Sequence, residues 1–142
     1  MEARPDPRPW HPRPFSVAVL DSDETMADAL CGLLRNNGFA ATAFYDIDSL
    51  AEAHQAACFD AYVLDYLADW QPESHALTDL VAAVRGTSDV PIFILGNQIA
   101  PESNDKLGAI LMRHKVRYLL KPLRADYLAR RVGEAIAEHA GL

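Results

Sequence analysis

The stretch Phe59–Tyr66 reads FDAYVLDY. Its centre, Ala61, Tyr62, Val63 and Leu64, is a short apolar run with β-branched and aromatic members, which suits a strand buried on both faces of a parallel sheet. The run ends abruptly in a carboxylate, Asp65. An unpaired buried charge is costly, so Asp65 is expected at the open carboxyl end of the strand, where ligands bind in open α/β sheets. The competing reading makes Asp65 a cap of the next helix. It is the weaker one, because the loop runs well past Asp65 before a helical pattern begins.

The same punctuation recurs on both sides of this stretch. Phe15–Leu20 (FSVAVL) is a second buried-strand pattern and ends in Asp21-Ser22-Asp23. A helix follows with Met26, Leu30, Leu33 and Leu34 on one face; Ser22 or Asp23 can cap it, and Gly38 is a natural stop. Phe39–Tyr45 reads as a strand, and Asp46 and Asp48 are candidate caps for a small helix through Leu50 and Ala57. Beyond Asp65, Tyr66–Glu73 reads as loop. A helix around Ser74–Arg85 then buries Leu77, Leu80, Val81 and Val84, with Gly86 as its stop. Val90–Leu95 is a strand with Pro91 at its start, where a missing N–H is tolerable. Gly96–Asn104 is a polar loop, Asp105–Arg113 a short helix, and Val116–Leu120 the last strand. After Lys121-Pro122, Asp126 can cap a final helix with Leu128, Val132 and Ile136 inward. Five strands alternating with five helices predict an α/β fold, a five-stranded doubly wound parallel sheet with helices on both faces.

With 142 residues and half of them apolar, the chain is long enough for one well-buried core. Residues 1–14 hold five of the nine prolines and read as an extended, flexible tail, with Trp10 a candidate to pack back onto a domain spanning 15–142. No apolar run reaches membrane-spanning length and no signal-peptide pattern opens the chain. Cys31 and Cys58 match no metal or redox spacing, so a cytoplasmic, reducing setting is expected. His54, His75, His114 and His139 show no ligand spacing and read as surface residues. The net charge of −7 argues against direct nucleic-acid binding. It is unevenly spread: residues 1–104 carry 5 Lys+Arg against 16 Asp+Glu, whereas 105–142 carry 8 against 4.

In a doubly wound sheet the first, third and fifth strands are expected as neighbours, so their carboxyl ends cluster and Asp21, Asp65 and Lys121 converge. Carboxylates beside one ammonium can hold a hard divalent cation, and the pair could neutralise a phosphoryl group arriving at Asp65. With these residues assembled, the sequence resembles a response-regulator receiver domain over residues 15–140. The resemblance is carried by VAVLDSD at 17–23, FDAYVLD at 59–65, VPIFIL at 90–95 and YLLKP at 118–122. It implies a flavodoxin-like receiver fold and Asp65 as phospho-acceptor, loaded by a histidine kinase or phosphotransfer protein. It also implies Asp21 in an acidic pocket, Lys121 on the phosphoryl group, a cis bond before Pro122, and Tyr118 as a switch aromatic.

The departures from that pattern bear on mechanism. The resemblance implies a second acid directly after Asp21, as a metal ligand, but Ser22 stands there; Asp23 could replace it only if the loop shifts. Mg2+ is therefore expected to bind weakly or not at all through Asp21, Asp23 and Asp65. Gly96 stands where the family carries the Thr or Ser that links phosphate to the aromatic switch, and Asn97 stands where a small Ala is usual. The loop after Asp65 lacks the usual glycine.

Several functions remain open. The first is a phosphorelay receiver that is not itself an enzyme, and the retained Asp65 favours it. The second is a pseudo-receiver, an interaction or dimerisation module in which Lys121 only pairs with Asp65 and Tyr118 is an ordinary strand aromatic. A third is the receiver-like N-terminal wing of Orn/Lys/Arg decarboxylases, which VPIFILGN and ARRVGEAI loosely resemble, though the retained Lys121-Pro122 argues against it. A flavodoxin-like cofactor protein is disfavoured, because the acidic Asp21-Ser22-Asp23 loop would repel phosphate. In receivers the fourth helix, fifth strand and fifth helix form the usual dimer or output face. Here they carry Lys106, Arg113, Lys115, Arg117, Arg124, Arg130 and Arg131. Such a face suits a homodimer or an output partner; alternatively, these cations pair locally with Asp105, Asp126, Glu134 and Glu138.

Overall fold

The computed structural model describes residues 14–69, 71 and 73–141. The proline-rich stretch before Pro14 and Trp10 within it lie outside the described residues. The elements run β1 (Ser16–Leu20), α1 (Glu24–Asn36), β2 (Ala40–Phe44), α2 (Ile47–Ala56), β3 (Ala61–Asp65), α3 (Ala76–Thr87), β4 (Ile92–Gly96), α4 (Asp105–Arg113), β5 (Arg117–Leu120) and α5 (Ala125–Ala140). Short 3-10 turns occupy Tyr66–Asp69 and Pro101–Ser103. The strands form one parallel sheet in the order β2-β1-β3-β4-β5, so the first and third strands are neighbours as expected but the fifth is not, because β4 pairs with both β3 and β5. The order reverses between β1 and β3, and a doubly wound sheet has its crevice at that reversal. Among the described residues no helix is long and apolar enough to cross a membrane.

Every residue of β3 and of β4 is buried. Successive side chains alternate between two cores. Val17, Val19, Val63, Phe93 and Leu95 meet Leu34 of α1 and Leu128, Val132 and Ile136 of α5. Ala18, Leu20, Tyr62, Leu64, Ile92 and Ile94 meet α2, α3 and α4 through Leu50, Leu77, Leu80, Val84, Leu107 and Ile110. Each fully buried aliphatic side chain contributes about 1.5–3 kcal/mol of transfer free energy, and this two-sided burial fixes the register.

The helix ends follow local chemistry. Asp23 Oδ1 accepts from Met26 N and starts α1; Asp46 does the same for α2 through Ser49 N. After α1, Gly38 N–H donates to Arg35 O and Phe39 N–H to Leu34 O, with Gly38 at φ 92°. This is a Schellman stop, in which only glycine is unstrained.

Four further sequence expectations change. Ala27, Cys31 and Leu34, rather than Met26, are the fully buried residues of α1, and Met26 is 47% exposed. Gly86 lies inside the last turn of α3, which runs on to Thr87. Asp126 is not the cap of α5: the helix begins one residue before it, after Arg124. Nor is His54 a surface residue. It is buried on α2, one turn beyond Leu50, with Nδ1 2.5 Å from the Tyr62 hydroxyl and Nε2 3.2 Å from Thr87 Oγ1.

Replacing Gly38 by alanine tests the α1 stop cleanly, because no atom lies within 4 Å of the added methyl and only the positive φ is penalised. The expected loss is roughly 1 kcal/mol, read as a lower urea midpoint at unchanged slope.

Candidate functional site

The carboxyl ends of β1, β3 and β5 bring Asp21, Asp65 and Lys121 into one pocket. Parallel pairing places them: Asp65 is in register with Leu95 of β4, and Gly96 with Leu120 of β5. Lys121 N–H donates to Gly96 O at 2.8 Å, which carries the edge strand back over the pocket. The Lys121-Pro122 bond is cis.

Asp65 is 3% exposed, and Lys121 Nζ stands 2.6 Å from its Oδ1. The approach is oblique. Oδ1 is fully buried and ion-paired but receives no well-directed hydrogen bond, so the contact is chiefly Coulombic. Asp21 is also buried, and its Oδ1 accepts from Asp23 N at 2.9 Å. Burial raises the Asp21 carboxyl above its ordinary value. The Asp23 N–H bond opposes this, the neighbouring Asp65 charge adds to it, and Lys121 opposes it.

The site therefore holds two buried carboxylates, one of which, Asp65, has an ammonium at its side. The third acid expected for a cation is not delivered. Ser22 turns to solvent, and Asp23 directs its carboxylate to the first turn of α1. Capping satisfies an orphan N–H immediately, whereas reaching the pocket would break the cap. Among the described residues no three His, Cys, Asp or Glu side chains gather as a cation site. Mg2+ is held by one or two carboxylates together with waters and phosphate oxygens. Asp21 and Asp65 fit that minimal role, but not a three-acid set.

Beside the acids opens a cleft of about 440 Å³, walled by Met26, Leu30 and Leu33 of α1 and by Leu95, Pro122 and Leu123, with Asp21 and Lys121 at its edge. Gly96 sits at the pocket rim. The ring of Tyr118 lies across it, and the hydroxyl bonds the backbone of Gln98.

The structure also brings together residues that the sequence reading did not join. Asp69 and Lys106 form an ion pair at 3.3 Å, with side chains 4% and 12% exposed. Burial alone would raise the Asp69 carboxyl. The Ser74 hydroxyl, Leu77 N–H and Lys106 outweigh it and hold it below the usual range. The presence of acids on the loop after Asp65 was visible; their pairing with the first turn of α4 was not.

No family model matches the chain, and no curated protein matches it. Solved structures do. The Francisella response regulator 1452 receiver domain superposes with a TM-score of 0.69 at 22% identity, covering 87% of this chain and 98% of its own. A CheY-like response regulator receiver domain protein from Methanospirillum hungatei JF-1 gives 0.73 at 13% identity, covering 90% and 98%. A two-component response regulator from Clostridium difficile gives 0.69 at 18%, covering 90% and 99%. The chain has the fold of response-regulator receiver domains.

Because the folded protein holds the Asp21 proton more tightly than the unfolded chain does, ionised Asp21 costs stability at neutral pH. Asp21→Asn is therefore expected to raise stability at pH 7. The gain should shrink as pH falls through the raised pKa and vanish below 3.8, the ordinary value. Urea unfolding of both proteins at several pH values checks this; an equal or lower midpoint for the variant at pH 7 contradicts it.

Proposed function

We propose that the chain is a cytoplasmic signalling module that accepts a phosphoryl group on Asp65 from a histidine kinase or phosphotransfer protein, and is not itself an enzyme. The observation that carries this reading is the Asp65–Lys121 pair at the carboxyl end of β3. In the step, an Asp65 carboxylate oxygen bonds to phosphorus as the phosphorus–nitrogen bond of a phosphohistidine donor breaks. The leaving imidazole nitrogen takes a proton. Lys121 then faces a phosphoryl group of about −1.5 to −2 that replaces the single charge of the carboxylate. The apolar cleft beside Asp21 and Lys121 offers the donor a dry docking wall.

A second reading, a pseudo-receiver that binds without phosphotransfer, is favoured by Ser22 and Gly96. The pocket has one fewer charged oxygen for a cation and no side-chain hydroxyl at position 96. Capture from small phosphodonors should therefore be slow, and Mg2+ binding weak. Ser22→Asp should tighten Mg2+ severalfold in a calorimetric titration. Radiolabelling from acetyl phosphate should be slow in the natural protein and absent in Asp65→Asn. Label that persists in Asp65→Asn moves the acceptor elsewhere; no label from any donor leaves the pseudo-receiver reading.

The docking face we assign to α4, β5 and α5 is smaller in charge than composition suggests. Lys106 is buried in its pair with Asp69, while Arg117, Arg124 and Arg131 pair with Glu138, Asp126 and Glu134. Among the described residues Arg113, Lys115 and Arg130 make no ion pair. They belong to the same face as exposed Met112 (87%), Leu120 and Tyr127. Reversing Arg113, Lys115 and Arg130 to glutamate should weaken self-association or output binding in a salt-dependent manner, with stability changing by less than about 0.5 kcal/mol. Unchanged sedimentation and partner binding would reduce the face to a solvated surface.

A further inference from the structure

Gly96 is a notch, and Tyr118 fills it. A methyl group on Gly96 would lie 2.7 Å from the Tyr118 hydroxyl and 3.0 Å from its Cε1. A side chain at 96 could enter only if the Tyr118 ring shifted away. The hydroxyl accepts from Gln98 N at 2.8 Å and donates to Gln98 O at 2.9 Å. The tyrosine thus bolts β5 to the loop leading into α4. Swinging it out would break both bonds to the Gln98 backbone and empty the space beside Gly96.

The other end of that loop is clamped independently. Lys106 Nζ donates to Asp69 O at 2.7 Å and Gln71 O at 3.0 Å while facing the Asp69 carboxylate. Asn104 Oδ1 accepts from the Tyr66 hydroxyl at 3.0 Å and from Leu107 N at 2.9 Å, which caps α4. None of these contacts uses a side-chain atom of Asp65 or Lys121.

We propose that the α4–β5–α5 face is preset: Tyr118 is locked into the Gly96 notch in the unmodified protein, so docking at this face does not await a phosphoryl group on Asp65. The inference goes beyond the phosphoryl-acceptor reading and holds whether or not Asp65 can be loaded. A ligand shifts an equilibrium only by its differential affinity for the two states. At Gly96 there is no side chain through which a group on Asp65 could favour one tyrosine position over another.

The test uses the unmodified protein with no phosphodonor, labelled with 3-fluorotyrosine and assigned through Tyr118→Phe, together with amide exchange at Gln98. One sharp Tyr118 fluorine resonance is expected, with Gln98 N–H exchanging at least tenfold more slowly than an unstructured chain. Asp65→Asn should leave the Gln98 protection within about twofold, since no part of the lock uses that side chain. Gly96→Thr should displace the ring, moving the resonance and lowering Gln98 protection at least tenfold, with the fold retained by circular dichroism. Gly96→Ala serves if threonine prevents folding, and Tyr118→Phe should deprotect Gln98 without crowding the notch. Two or exchange-broadened Tyr118 resonances, an unprotected Gln98, loss of protection in Asp65→Asn, or unchanged protection in folded Gly96 variants overturns the proposal. Failure of phosphotransfer is read separately, from the labelling assay, and leaves these signals untouched.

Discussion

Two carboxylates, Asp21 and Asp65, are buried at the end of an apolar sheet, and one lysine stands between them and a large desolvation cost. Burial raises the Asp21 carboxyl above its ordinary value, and the neighbouring Asp65 charge adds to the rise. Lys121 resolves part of the conflict by reaching 2.6 Å from Asp65. It can do so because β5 is hydrogen-bonded beside β4 with Gly96 opposite Leu120, so the residue after β5 arrives over β3. The sheet register, the cis turn after Lys121 and the position of the edge strand all converge on that contact. Removing one partner of such a pair leaves an uncompensated buried charge, a loss of about 3–5 kcal/mol when burial is complete.

Around this pair the chain uses its remaining polar groups for its own architecture. Asp23 caps α1, Asn104 caps α4, and Asp69 gathers Leu77 N–H and Lys106. The two caps satisfy orphan helix N–H groups, about 1 kcal/mol each, and the buried Leu77 N–H would cost roughly 1–3 kcal/mol without Asp69. A cation would have to compete with these existing bonds, which is why neutral Ser22 matters: no spare acid stands where one would serve the pocket without breaking a cap.

Strand and helix order was legible because each strand is a short apolar run ended by a polar residue, and Asp21, Asp65 and Lys121 could be placed together from topology alone. What resisted reading depends on side-chain size and reach. On α1 the small Ala27 and Cys31 fit deepest, while long Met26 extends to the rim of a cleft. His54 looks polar in isolation, but its spacing of four from Leu50 marks the inward face, and Tyr62 supplies the partner that makes burial affordable. Lys106 counts as a surface cation in any charge tally until Asp69, 37 residues away in sequence, is found beside it. Gly96 was visible as a missing hydroxyl. That its absence makes room for Tyr118 needs coordinates, because register alone does not say which way an aromatic leans.

The retained acceptor and the filled notch are compatible once their free energies are kept apart. Moving a two-state element from 99:1 to 1:99 takes about 5.5 kcal/mol of differential binding. On the proposed reading a phosphoryl group on Asp65 would meet Lys121, which acts on Tyr118 through its charge and not through a side chain at Gly96, so its bias on the tyrosine position would be small. The tyrosine position is instead governed by its two bonds to Gln98 and the space at Gly96. A site that binds strongly without discriminating between states can store a charge without moving the distant face. On the two proposals taken together, a response to Asp65 would run chiefly through the groups nearest it, the Asp21–Asp23 turn and the cleft wall beside Lys121.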